Sequence, residues 1–258
     1  MDEEEVRVKR TEMERYDDPA DRPAFADRTD RDHTAALEAY GAVGQFRAAL
    51  EEHVEGRVLD VCCGNARWAD ELLAADSDLE YVGLDLAVSG LRAASERLDD
   101  RSVMVRGDTE YLPFATDSFD TLVCSAALHH LPDWDGRGLD EICRVLRPDG
   151  RMVFREPLRY NPLAWAFRRF TPGPCHTPHE SPFDPSVLRD ELESRFGSVD
   201  LVGHYITALA FPVLDGVLPV DIPPSVTKRV YDLERRVIDN GGLLLATHTH
   251  GTAHHPRG

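Results

Sequence analysis

Through the middle of the chain, short apolar runs alternate with amphipathic stretches whose apolar residues recur every three or four positions. The pattern predicts strands at 57–61, 79–85, 102–107, 119–125 and 150–156, with helices at 66–75, 88–98 and 136–146. Strand–helix alternation of this kind implies parallel strands joined by crossover helices. Upstream, Leu37, Tyr40, Val43, Phe46 and Leu50 predict a leading helix over 34–54, weakened by Gly41 and Gly44. Downstream, 181–196 reads as a helix, 199–207 as a sixth strand, 225–239 as a helix and 243–247 as a last strand. Two segments break the alternation. Residues 157–182 hold prolines at 157, 162, 172, 174 and 178 around an apolar, basic stretch, and 208–224 is apolar and proline-rich; both are expected to be lid insertions. Residues 1–32 are charged and poor in aliphatics, and are expected to form an acidic, flexible arm. The domain proper is therefore placed at 33–258.

Length and composition refine this picture. A chain of 258 residues, 42% hydrophobic, fits one large domain with insertions and can bury a substantial core. No apolar run is long enough to span a membrane, and the first ten residues lack the apolar core of a signal peptide. A cytoplasmic location is expected. The five cysteines, at 62, 63, 124, 143 and 175, form no C-x-x-C pair and are expected to be reduced. The net charge is −18, with 28 Asp and 19 Glu against 27 Arg and only two lysines, Lys9 and Lys228. An acidic, lysine-poor surface is expected of a halophilic protein, in which salt screens self-repulsion. It is a poor match for nucleic acid, which needs clustered cations. Arg155, Arg159, Arg168 and Arg169 are a local basic exception, suited to an anionic substrate or to solvating a helix.

Three successive predicted strands end in Asp60, Asp85 and Asp108, which places three carboxylates along one edge of a parallel sheet. The first strand, Val58-Leu59-Asp60-Val61, runs into the small-residue turn Cys62-Cys63-Gly64 and then a helix, an arrangement that brings backbone N–H groups to a ligand. The stretch from Val58 to Ala69 resembles the first motif of class I methyltransferases that use S-adenosylmethionine (SAM). Gly107-Asp108-Thr109-Glu110-Tyr111-Leu112-Pro113-Phe114 resembles their motif after the third strand, in the form found in the quinone-biosynthesis group. Ala127 to Asp133 and Val145 to Arg151 resemble the next two motifs, so the likeness covers about 56–157.

The resemblance implies a Rossmann-like α/β fold with a seven-stranded, mostly parallel sheet, helices on both faces and an antiparallel last strand. It also implies SAM as cofactor. Asp85, 21 residues after Gly64, would hold the ribose hydroxyls with Leu86 against the adenine; capping the next helix is its structural alternative. Asp108 would accept from the adenine amino group, with the Thr109 backbone alongside. Asp60 would act through loop geometry or on the methionine amino group, and the backbone of Cys62 and Gly64 would approach that end. Ser125 closes the fourth strand at the expected methyl position. Cys62 and Ala66 depart from the pattern, standing where glycines are usual.

The fourth strand continues as Ser125-Ala126-Ala127-Leu128 and lacks the Asn/Asp-Pro-Pro-aromatic motif of base and amide N-methylation. An oxygen, carbon or sulfur acceptor on a small, hydrophobic molecule is therefore expected. His129 and His130 follow and are the candidate bases, because imidazole titrates near neutrality. His176 and His179 are weaker candidates. Trp165, Phe167, Phe170, Phe211 and Leu214 suit a lid or simply the core. No metal site is expected. The rival readings are a SAM-binding protein without turnover and an RNA or protein methyltransferase.

Overall fold

The computed structural model describes residues 3–17, 42–170, 181–207 and 223–257. Seven strands form one sheet: β1 (Arg57–Val61), β2 (Glu80–Asp85), β3 (Ser102–Arg106), β4 (Phe119–Ser125), β5 (Leu146–Pro157), β6 (Phe196–His204) and β7 (His248–Pro256). Their order is β3-β2-β1-β4-β5-β7-β6, and β7 alone runs antiparallel to its neighbours. The helices are α1 (Glu3–Asp17), α2 (Ala42–His53), α3 (Ala69–Ala75), α4 (Val88–Arg97), α5 (Leu139–Val145), α6 (Pro162–Phe170), α7 (Pro185–Arg195) and α8 (Pro224–Asp239).

The central strands are apolar on both sides because both sides are covered. Val58, Val123 and Val153 pack with Phe46 and Leu50 of α2 and with Leu72 and Leu73 of α3. Leu59, Leu84, Leu122 and Phe154 face the other way, onto Leu139 and Ile142 of α5, Leu188 and Leu192 of α7 and Ile238 of α8. The chain reverses its direction of winding between β1 and β4, so their carboxyl ends open a crevice at the switch point, where open α/β sheets bind ligands.

Two expectations differ from what forms. The last strand is not 243–247: Gly242–Leu245 is a 3-10 turn and the strand is His248–Pro256. Apolarity was misleading there. Leu244 and Leu245 are exposed, whereas Thr249, Thr252 and Ala253 are buried between β5 and β6. A side chain on Gly251 would lie 2.9 Å from the Phe154 ring, so the strand needs small residues at its centre. His254 and His255 also belong to this strand.

The second difference is at the other end. Within the stretch read as a flexible arm, Glu3–Asp17 is helical and docked. Val8 is buried, Glu5 Oε1 accepts from Arg137 at 2.9 Å and Asp17 Oδ1 accepts the Ser89 N–H at 2.8 Å. Residues 18–41, 171–180 and 208–222 lie outside the described residues, and with them most of both expected lids. No described helix is long and apolar enough to cross a membrane.

Candidate functional site

The first-motif turn leaves β1 through three residues with left-handed backbone: Cys62 (φ 51°), Gly64 (φ 56°) and Ala66 (φ 52°). Two of them carry a Cβ, so the turn is made at a conformational cost of roughly 1–2 kcal/mol for each. Open space lies in front of Gly64, where a Cβ would meet nothing within 4 Å. Behind it, α4 comes so close that a Cβ on Gly90 would lie 2.5 Å from the Gly64 carbonyl oxygen.

Asp85, at the end of β2, fixes this turn. Its Oδ2 accepts the Gly64 N–H and its Oδ1 the Ala87 N–H, both at 2.8 Å. Burial raises its pKa despite these bonds. The carboxylate thus serves both the turn and the entry to α4, and each oxygen keeps a lone pair for a hydroxyl. Leu86 follows, half-buried. Asp60 is less accessible than expected. It is 2% exposed and accepts the Tyr81 hydroxyl proton. Burial pushes its pKa up to about 7, the Tyr81 bond opposing and Asp85 adding to the rise.

Asp108 and Thr109 follow β3. Thr109 is buried with its Oγ1 3.4 Å from Cys62 Sγ, which ties the third-strand loop to the first-motif turn. Burial drives the Cys62 thiol well up, so it stays protonated. Asp108 Oδ1 accepts the Glu110 N–H at 3.0 Å, and Oδ2 lies 2.6 Å from the Lys9 ammonium of α1. Lys9 also reaches Glu110 Oε2 at 2.5 Å.

At the carboxyl end of β4, Ser125 is half-buried and pairs with Arg155 of β5. The next β5 residue, Glu156, organises the loop beyond it. Fully buried, its Oε1 accepts the Ala127 and Leu128 N–H groups, each at 2.9 Å. Its Oε2 lies 2.7 Å from His129 Nδ1. A carboxylate only accepts, so His129 carries its proton on Nδ1 and, when neutral, offers Nε2 as a base. His130 stacks obliquely on it, ring centres 4.1 Å apart. Both line a cavity of about 700 Å³ with Val8, Trp134, Arg159 and Phe183.

Of the residues expected from the sequence, the fold gathers Cys62, Gly64, Asp85, Leu86, Asp108 and Thr109 at one end of the crevice and Ser125, His129 and His130 at the other; Asp60 lies beneath. His176, His179, Phe211 and Leu214 fall outside the described residues. Sequence reasoning missed Glu156, Lys9, Gly90 and Tyr81. Glu156 carries a legible signal: a carboxylate directly after the apolar run Met152-Val153-Phe154 demands a partner. No group of side chains suited to a metal occurs among the described residues.

The crevice fits SAM: a carboxylate with lone pairs to spare at the end of β2, and open space in front of the Gly64 backbone. The family profile described as "Methyltransferase domain" matches residues 59–154. A phthiotriol/phenolphthiotriol dimycocerosates methyltransferase of Mycobacterium tuberculosis is 31% identical over 198 residues, 74% of this chain and 69% of the relative. A demethylmenaquinone methyltransferase of Lactiplantibacillus plantarum is 35% identical over 143 residues, 50% of this chain and 59% of the relative. The chain thus spans roughly three fifths to two thirds of the length of these relatives. In fold it is similar to a Haemonchus contortus phosphoethanolamine N-methyltransferase 2 solved with S-adenosylhomocysteine, with TM-score 0.57, 18% identity, and 92% of this chain and 61% of that one covered. On this sequence kinship, sheet order and crevice, the chain belongs to the Rossmann-like, class I family of SAM-dependent methyltransferases.

Proposed function

We propose that the protein methylates a small, hydrophobic acceptor of the quinone or lipid kind, at oxygen, carbon or sulfur. The names of its two relatives support that acceptor class. The observation that carries the reading is the pairing of Asp85 with Gly64 at one end of the crevice and of Glu156 with His129 at the other. The first pair suits ribose and methionine recognition, with Leu86 beside the adenine and Asp108 and Thr109 at its amino edge. The second offers an oriented imidazole beside a partly apolar cavity of ligand size.

When bound, SAM supplies an electrophilic methyl on its sulfonium. The residues of the chain have to align a nucleophile in line with it and exclude water, which makes proximity the larger part of the catalysis. Ser125 and the Ala126 turn form the floor at the reacting edge. His129 takes the acceptor's proton at Nε2, and Glu156 holds the ring by its Nδ1–H and stabilises the imidazolium that results. The acidic, lysine-poor surface suits a salty cytoplasm rather than a nucleic-acid partner.

The experiment is methyl transfer from labelled SAM to a small-molecule lipid extract and, in parallel, to RNA, with S-adenosylhomocysteine binding measured separately. Label in the extract alone supports the reading. Label in RNA overturns the acceptor class, and binding without transfer leaves a SAM-binding protein. Glu156→Gln should lower turnover at least tenfold while S-adenosylhomocysteine still binds.

A further inference from the structure

A polar cluster lies within the last residues of β5 and β6 and the first residues of β7, made of Arg155, His204 and His250. Arg155 is central to it. Across the sheet it pairs with Ser125 of β4 and His250 of β7. The residue is half-buried, and its Nε is buried without a hydrogen-bond partner. Among the described residues no carboxylate forms an ion pair with it. Glu156, next on the strand, points to the opposite face, where His129, Ala127 and Leu128 take its oxygens.

The charge around the guanidinium does not compensate it. Burial and then Arg67 work against its charge, and Glu156 and Tyr205 oppose them. His204 lies 2.5 Å from His250, Nε2 to Nδ1, and Tyr231 Oη lies 2.9 Å from His204 Nδ1. Burial first, then His250, Arg235, His248 and Arg155, push His204 down to about 2. Burial, Arg235, Arg155 and His53 push His250 down to about 4. These two rings are therefore neutral near neutrality, and Arg235 is matched by Asp239 at 3.7 Å. Among the described residues this leaves the guanidinium beside the reacting edge without an ion-pair partner, in a chain of net charge −18. An unpaired buried charge is expensive, and the group whose oxygens match a guanidinium fork is an anionic one.

We propose that Arg155 is an anion subsite for the acceptor: it takes a carboxylate, phenolate or phosphate oxygen and so sets which acceptor atom lies over Ser125. Arg155 and Glu156, consecutive on β5, divide the work. One anchors the acceptor's charge on one face, and the other builds the base on the opposite face. The assignment of the anion to the acceptor rests on the methyltransferase reading. The alternative source of the same chemistry is the amino-acid carboxylate of the cofactor.

The test uses the whole chain, as wild type, Arg155→Met and Arg155→Lys, at constant ionic strength. Thermal unfolding is followed with benzoate and with inorganic phosphate, each with and without S-adenosylhomocysteine. Calorimetry measures S-adenosylhomocysteine and methylthioadenosine, which lacks the amino-acid carboxylate. Benzoate or phosphate should raise the unfolding midpoint of the wild type, raise that of Arg155→Lys less, and leave Arg155→Met unmoved. S-adenosylhomocysteine should bind all three within about twofold. Arg155→Met alone should unfold no lower than wild type, since the buried Nε has no hydrogen-bond partner among the described residues to lose; a lower midpoint would make Arg155 structural and overturn the proposal. So would anion shifts equal in wild type and Arg155→Met, or absent from both. A tenfold loss of S-adenosylhomocysteine affinity in Arg155→Met, with methylthioadenosine unaffected, would give the arginine to the cofactor instead. If S-adenosylhomocysteine binds none of the proteins, the methyltransferase reading falls, while the anion shifts still decide whether Arg155 binds anions.

Discussion

The ammonium of Lys9 lies 2.6 Å from Asp108 Oδ2, so one of the chain's two lysines ties α1 to the loop after β3. The same ammonium serves Glu110, whose side chain is fully buried. Lys9→Met leaves two neighbouring carboxylates without their cation and should destabilise by about 1–3 kcal/mol, read by urea unfolding. Burial works against the lysine's charge, but Asp108 and Glu110 outweigh it and raise the pKa above 10.5. The contribution is then present in full below pH 10.5 and fades as pH climbs through the raised value. A variant as stable as wild type at pH 8 would show that α1 is not held this way. Should Asp108 serve the adenine, the variant also binds SAM with altered affinity, since Lys9 no longer engages that carboxylate.

Asp60 gives the opposite slope. Its folded pKa of about 7 lies above the unfolded value of 3.8, so the native state holds the proton more tightly. This group's contribution to stability is present in full below pH 3.8 and is lost as pH rises toward 7. Each pK unit is worth about 1.4 kcal/mol. Asp60→Asn should flatten the decline between pH 5 and 8, measured by unfolding across that range. An unchanged profile in the variant would assign the decline to other groups.

Gly90 is the position where adding one methyl group tests the crevice. Gly90→Ala improves helix propensity by roughly 1 kcal/mol. Its Cβ would nevertheless lie 2.5 Å from the Gly64 carbonyl oxygen and force the turn outward. The expected result is a protein that folds and loses at least tenfold in affinity for S-adenosylhomocysteine. Undiminished binding by calorimetry would separate the turn from the cofactor.

Ala66 tests the cost of the substituted glycines. Ala66→Gly relieves a left-handed alanine worth roughly 1–2 kcal/mol but gives up a buried methyl group of similar value. It should change stability by less than about 1 kcal/mol. Ala69→Gly, equally buried but at the first position of α3, relieves no left-handed backbone and loses the methyl group, and should be clearly destabilised. Equal losses at the two positions would mean that the turn carries no strain.

Much of this was legible in the chain. β1, β2 and β4 are short, mostly apolar runs because both faces of the sheet are covered, and Asp85 and Asp108 mark where β2 and β3 end. β7 was not legible, since its buried side chains are threonine, histidine and alanine and its core position depends on neighbours far away in sequence. α1 hid for the same reason: it docks largely through Lys9, Glu5 and Asp17, whose partners at 108, 110, 137 and 89 exist only once the sheet has formed. Glu156 was in plain view, but its role depends on the direction of one side chain at a strand end, which alternation alone does not supply.

The position of β7 also sets an order of assembly. It is the last strand in chain order, yet it lies between β5 and β6, and no direct pairing joins those two without it. During synthesis, β5 must wait with an open hydrogen-bonding edge for about ninety residues, and β6 for about forty. Open edges are where nascent chains pair with the wrong partner. A chain stopped before His248 would have its first-motif crevice in place and its sheet unfinished, so cofactor binding and solubility should part company at that point.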